Sequence, residues 1–345
     1  EPLAVKGKRE LVRTYLVQTA KPRAFRKPAR GVQGIETPMV GREAELKQLQ
    51  NALHAAMEDR ERQVVSVVGE AGVGKSRLLD EFEDWIELLP DRVRLFKGRG
   101  RHEMQGVPYG LLRDLFAFRF QILESDPLDV VRAKIEHGVT EVLGTSSSTR
   151  ARSHHLGQLL GYELSASLEL QTLGDNPQGL RETGLQCLED MFRATTELRP
   201  TVVLLDDLQW ADDSSLDAVN RLALALPQTR LAVVCAFRPE MLERRPHWGE
   251  GQPFHMRVGL EPLRKWDSRR LVTDILGKLG PASDAVRDLV VTHAEGNPFY
   301  IEELINMLIE AGVIVKTDEA WHLQPACPAE MEVPDSLTGV LQARL

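Results

Sequence analysis

The chain has 345 residues, 42% of them hydrophobic and 27% charged, a composition that suits a globular protein with a main domain and satellites. Its formal charge of −8 argues against wholesale electrostatic attachment to nucleic acid, and no apolar run approaches the roughly 18 residues of a membrane span. The three cysteines, Cys187, Cys235 and Cys327, fit neither a disulfide framework nor a zinc spacing, and a reducing cytoplasm is expected.

Residues 2–18, PLAVKGKRELVRTYLVQ, read as two short strands joined by a basic turn. Residues 19–37 carry Pro, Gly and basic residues without periodicity, which makes them a linker. Lysines and arginines crowd the first thirty residues against only Glu1 and Glu10, a charge run read as solvated rather than as a nucleic-acid contact. The chain starts at Glu1 rather than Met and stops inside a helical pattern at ARL, so a longer parent protein is expected.

Leu46, Leu49, Leu53 and Ala56 recur at helical spacing behind the entry Val40-Gly41-Arg42-Glu43. The stretch QVVSVVGEAGVGKSRLL, residues 63–79, has the form strand, glycine-rich turn, helix. Gly69, Gly74, Lys75 and Ser76 fit G-x-x-x-x-G-K-[ST], a loop whose backbone N–H groups turn inward around phosphate oxygens. Glycine permits that backbone, Lys75 supplies charge to the β and γ phosphates, Ser76 can ligate Mg²⁺, and the helix N-terminus favours the same anion.

A second strand is expected over 92–97, followed by a largely helical insertion at about 98–198 with helices at 111–120, 127–142, 150–162 and 180–198. TSSSTRARS and TLGDNPQG read as loops within it. His154 and His155, adjacent on a helix, diverge by about 100° and read as surface positions rather than a metal pair.

TVVLLDD, residues 201–207, is a strand buried on both faces that ends in two acids at the carboxyl edge, where open parallel sheets bind ligands. Asp206 is the expected Mg²⁺ partner, with Asp207 beside the attacking water and Asp212 or Asp213 as substitutes for that role. The next strand, 231–237, delivers Arg238, which either reaches the γ phosphate or pairs with Glu240 or Glu243. A fifth strand at 255–260, helices at 265–279, 282–294 and 298–311, a hairpin over 313–323 and a helix from about Pro334 complete the pattern, with Pro298 suited to a first helical turn. Strand-helix alternation predicts an α/β fold with a parallel five-stranded sheet between helices.

VGREAEL, GEAGVGKS, LLDDLQWADDSSLD, VCAFRPE and GNPFYIEEL together resemble the signal-transduction ATPases with numerous domains, a branch of the P-loop proteins often described as AAA-type ATPase domains. The resemblance implies a P-loop ATPase domain over 38–260, a helical lid over 261–312 and the opening of a winged-helix-like module over 313–345. It also implies that Val40, Gly41 and Arg42 lie near adenine. Gly69, Glu70, Ala71, Gly72, Val73, Gly74, Lys75, Ser76 and Arg77 would hold ATP or ADP, and Ser76 with Asp206 would hold Mg²⁺. Lys75, Asp207 and Arg238 carry the catalytic roles, and Pro298 of the lid packs on the base. The chain departs from many hydrolytic relatives in having Asp207 where they have glutamate, and in its long insertion. VKGKRELVRTYLV resembles the last strand region of class III adenylate and guanylate cyclase domains, so residues 1–18 read as the tail of such a domain.

Three functions follow as expectations: a slowly hydrolysing ATP switch, a scaffold that holds ADP permanently, or part of a cyclase whose catalytic domain lies upstream. The chain itself is not expected to make cyclic nucleotide. Expected partners are proteins meeting the insertion or further C-terminal domains, and further copies of the chain in a nucleotide-dependent oligomer. Arg238 is the one arginine with a motif-based claim on the γ phosphate.

Overall fold

The computed structural model describes residues 2–3, 12–13, 32, 37–163, 177–277, 284–316 and 321–323. The basic linker other than Val32 and Thr37, Cys327 and the helix expected near Pro334 lie outside the described residues.

At the N-terminus β1 (Pro2–Leu3) and β2 (Val12–Arg13) pair antiparallel. The main body runs α1 (Glu43–Glu58), β3 (Gln63–Gly69), α2 (Lys75–Glu87) and β4 (Arg94–Arg99). An insertion follows whose described residues include α3 (Gly110–Arg119), α4 (Leu128–Leu143), α5 (Ser147–Leu159) and α6 (Pro177–Leu198). The body resumes with β5 (Thr201–Asp206), α7 (Asp213–Ala225), β6 (Leu231–Phe237), α8 (Glu240–Arg244) and β7 (His255–Leu260). Among the described residues, the lid helices α9 (Lys265–Ile275), α10 (Asp284–His293) and α11 (Pro298–Glu310) lead to the antiparallel pair β8 (Ile314–Lys316) and β9 (Trp321–Leu323).

Strands β3 to β7 form one parallel sheet in the order β4-β5-β6-β3-β7. The two-residue period of a strand sends alternate side chains to opposite layers. Val203 and Leu205 face the layer that holds the insertion and α7, while Val202 and Leu204 face the layer of α1 and α2. A separate apolar cluster holds the lid together around Val272, Val290, Ile301 and Leu304. Val40, from the segment before α1, is buried in that lid cluster.

Several boundaries differ from the pattern-based ones. The second strand runs to Arg99 rather than Lys97, because its ladder with β5 continues through Gly98↔Leu205 and Arg99↔Asp206. The polar run TSSSTRARS is mostly helix: Ser146 is an N-cap whose side chain accepts from Thr149 N at 3.0 Å, and α5 starts at Ser147. His154 and His155 are buried rather than exposed, since α5 packs between α4 and α6, and His154 Nε2 lies 2.8 Å from Glu136 Oε1. The third strand ends at Asp206, and Asp207 takes a left-handed conformation with φ 54° that starts a short 3-10 helix, Leu208–Trp210.

Candidate functional site

The carboxyl ends of the parallel strands and the lid enclose a cleft of about 510 Å³. Its floor is the turn from β3 to α2. Gly74 caps α2 with φ 100°, a conformation that side chains with a Cβ rarely adopt, and the Lys75 and Ser76 side chains line the cleft. Lys75 is buried, and its Nζ donates to Gly69 O at 2.8 Å and to Glu70 O at 2.7 Å. Burial, and then the neighbouring Arg238 cation, hold the Lys75 ammonium below its ordinary value. Two cations that converge in a concave site and repel one another mark a position where an anion is stabilised.

Arg238 lines the same cleft and makes no ion pair with Glu240 or Glu243 among the described residues. Its backbone N–H donates to Gln209 Oε1 at 3.2 Å. Gln209 in turn donates from Nε2 to Asp207 Oδ1 at 2.9 Å, which ties the ends of β5 and β6 together.

Ser76 Oγ donates to Asp206 Oδ2 at 2.8 Å. Burial, and then the charge of Asp207, push the Asp206 carboxyl above the usual carboxylate range. A hydroxyl beside a carboxylate whose ionised form lacks compensation is a donor set that fits a hard divalent cation such as Mg²⁺, with phosphate oxygens and water completing the shell. Among the described residues no cluster of three or more His, Cys, Asp or Glu could hold a metal alone.

Sequence reasoning missed Arg99. The two extra residues of β4 bring it into the cleft, where Nε donates to Asp207 Oδ2 at 2.9 Å and lies 4.0 Å from Asp206 Oδ2. Arg238 is therefore not the only arginine near the acids. Asp212 and Asp213 are committed elsewhere. Asp212 is buried and accepts from Ser215 N and Tyr109 N, each at 2.8 Å, while Asp213 pairs with Arg245 at 2.9 Å.

The expected base side divides. Val40, Arg42, Arg77 and Pro298 line the cleft, as do Ala71, Gly72 and Val73. The Arg42 guanidinium, however, is spent on Val73 O at 3.2 Å and on Glu261 O, which makes it a clamp between α1, the loop and the end of β7. Gly41, Gly69 and Glu70 do not line the cleft; a Cβ at Gly41 would lie 2.7 Å from Asp267 Cγ of the lid.

The GNPFYIEEL segment also joins the lid to the phosphate loop. Asn297 caps α11 and donates from Nδ2 to Ala71 O at 2.9 Å, and Phe299 N–H donates to Gly72 O at 3.3 Å. A Cβ on Gly72 would meet Asn297 Oδ1 at 2.5 Å, so glycine there is what allows the lid to rest on the loop. Thr37 is buried and donates to Glu302 Oε1 at 3.0 Å.

No helix among the described residues is long and apolar enough to cross a membrane.

Residues 38–234 match the family described as AAA ATPase domain, and residues 264–320 match a domain of unknown function, DUF8739. A curated relative, an uncharacterized protein R02095 of Rhizobium meliloti (strain 1021), is 23% identical over 320 residues, covering 89% of this chain and 28% of that protein. The chain thus spans little more than a quarter of that relative. Among solved structures, Cdc6p from Pyrobaculum aerophilum is similar with a TM-score of 0.47 and 13% identity, over 81% of this chain and 64% of that one. The Aeropyrum pernix ORC1 protein, solved in complex with DNA, is similar with a TM-score of 0.46 and 16% identity, over 90% and 66%.

Proposed function

We propose that this chain, which belongs to the AAA ATPase domain family, is an ATP-binding and slowly hydrolysing switch in which nucleotide state sets the position of the lid. The observation that carries the reading is the pair of lid-to-loop hydrogen bonds, Asn297 to Ala71 O and Phe299 N–H to Gly72 O. They hang the lid on the phosphate loop itself, so any rearrangement of the loop around phosphate is felt at the first turn of α11.

In this reading Lys75 leaves the Gly69 and Glu70 carbonyls for the β and γ phosphates, and Arg238 reaches the γ phosphate from the end of β6. Ser76 and Asp206 would hold Mg²⁺, which would supply charge neutralisation at the phosphates. Asp207 orients the attacking water once Arg99 and Gln209 release its oxygens. Phosphoryl transfer depends on positioning and charge, and Asp207 is held by other partners, so slow turnover is expected. The insertion α3–α6 is the proposed surface for a protein partner. Residues 1–18 are proposed, on their sequence pattern, as the tail of a cyclase domain in a larger signalling protein.

The test is Lys75→Ala with ATP and ADP titrated by calorimetry. Loss of a charge aimed at the phosphates should weaken ATP binding by about 10² or more, since a single preorganised charge of this kind contributes roughly 3 kcal/mol. Unchanged affinity would remove the phosphate-loop assignment. In the parent chain bound ADP should exchange for ATP; ADP that never exchanges would favour a structural scaffold instead.

A further inference from the structure

The two ends of the cleft differ in their uncommitted charges. Lys75, Arg99 and Arg238 line it at the phosphate loop and strand ends together with Asp80 and Asp207, whereas α11 brings Glu302, Glu303 and Asn306 to it, beside Arg42 and Arg77, whose guanidinium groups donate to backbone carbonyls. Two carboxylates disfavour any phosphate at the α11 side, so what lies there is the nucleoside. Apolar surfaces suited to a flat ring are supplied beside them by Met39, Val40, Leu263, Leu271 and Pro298.

The acceptors at that end are fixed in place. Pro298, Glu302 and Asn306 are spaced i, i+4, i+8 and therefore share one stripe of α11. Glu302 Oε1 accepts from Thr37 Oγ1 at 3.0 Å, and the carbonyl of Thr37 accepts from Arg77 Nη2 at 2.7 Å. Asn306 Nδ2 donates to Glu303 Oε1 at 3.3 Å. Thr37 thus anchors one oxygen of Glu302. Burial raises the Glu302 carboxyl above its ordinary range, with Thr37 and Arg77 opposing that shift, which agrees with a carboxyl short of donors.

Resting on the nucleotide-switch reading above, the geometry points to Glu302 as the residue that reads the base: its second oxygen accepts a hydrogen bond from the exocyclic 6-amino group of adenine. A base carrying a keto oxygen at that position sets acceptor against acceptor. The pocket therefore selects ATP over inosine triphosphate, which has a keto oxygen in place of the amino group and an N1–H in place of the N1 acceptor; with Glu302 set against position 6, the mismatch there is acceptor against acceptor.

The experiment measures ATP and inosine triphosphate affinities for the parent, Glu302→Gln and Thr37→Val by calorimetry in Mg²⁺. The parent should prefer ATP by about tenfold or more, the range expected when a buried polar group is left unpaired. Glu302→Gln can turn its amide N–H toward the keto oxygen, so its preference should fall to within about threefold. Thr37→Val removes the anchor and keeps the reader, so it should retain most of the preference. A parent that binds both triphosphates tightly and equally overturns the inference. So does a Glu302→Gln variant that keeps the full ratio or loses both ligands, or a Thr37→Val variant that shifts the ratio as far as Glu302→Gln. A parent that binds neither triphosphate instead fails the nucleotide-site reading, and the inference falls with it.

Discussion

Arg99→Ala is the perturbation that separates two roles for an arginine beside the acids. Both oxygens of Asp207 are engaged: Oδ2 accepts from Arg99 at 2.9 Å and Oδ1 from Gln209 at 2.9 Å. Each of these bonds takes one of the roughly four lone-pair sites of the carboxylate and draws charge from it, which leaves a weaker acceptor for a water. If Arg99 acts as a restraint, the variant frees Oδ2 and turnover rises. The Arg99 side chain is 46% exposed and that of Asp207 18%, so the pair belongs with screened ion pairs of about 0.2–1 kcal/mol. Released in full, that energy gives an increase of about 1.4- to 5-fold. If Arg99 instead stabilises the γ phosphate in the transition state, its loss costs on the order of 10³ to 10⁵ in rate. The two expectations differ in sign as well as size. Steady-state phosphate release in saturating Mg²⁺-ATP decides between them, with ATP affinity measured alongside so that binding and turnover are not confused. The expected result is the modest rise; a tenfold or larger fall at unchanged affinity would refute the restraint and make Arg99 a catalytic group.

Asp206→Asn should weaken Mg²⁺-dependent ATP binding, whereas Asp207→Asn should keep the affinity and lower turnover by about 10²; paired calorimetry and turnover assays in which both variants lose affinity alike would contradict the division of labour. His255, held by burial and then by Arg257 to a pKa of about 4 against an ordinary 6.5, stays neutral when folded while the unfolded chain takes up the proton. Its contribution to stability is therefore present above about 6.5 and declines as pH falls toward about 4. His255→Asn should flatten that part of the profile in urea unfolding at pH 7 and pH 4.5, and an unaltered slope would exclude His255 as its source.

The phosphate loop was legible because anion binding requires its residues in one contiguous spacing, from Gly69 to Ser76. The inner strands β3, β5 and β6 were legible for a similar reason: burial on both faces leaves an unbroken apolar run, as in Thr201–Leu205. Arg99 was not legible, since Lys97, Gly98 and Arg99 carry no strand signature and only the ladder to Leu205 and Asp206 extends β4 that far. Ser147–Ser153 looked like a loop because serine favours caps and turns, yet Ser146 is a cap that starts the helix those residues continue. His154 shows the same limit, as no local pattern states that Glu136 of another helix will bury and pair it. The contact from Thr37 to Glu302 spans 265 positions, and Asn297 reaches back to Ala71; such joins between lid and body exist only once the chain is folded.

Those joins also bear on whether the lid can be moved by nucleotide. To throw a two-state equilibrium from 1:99 to 99:1 takes a differential of about 5.5 kcal/mol. The two hydrogen bonds to Ala71 O and Gly72 O contribute about 1 kcal/mol each, and the Thr37 to Glu302 bond about the same. Val40, 4% exposed within the lid cluster, adds roughly 1.5–3 kcal/mol for a buried valine. The sum is about 4.5–6 kcal/mol, comparable with the required differential. The polar bonds alone fall short, so the segment before α1 is as much a part of the lid's hold as the phosphate loop. Three of the charged groups around the phosphate position meanwhile have internal stand-ins: loop carbonyls for Lys75, Ser76 for Asp206 and Arg99 for Asp207. On the proposed reading, nucleotide would exchange partners at these positions together, and because the Ala71 and Gly72 carbonyls of the loop accept the lid bonds, the exchange would reach the lid without an intervening relay.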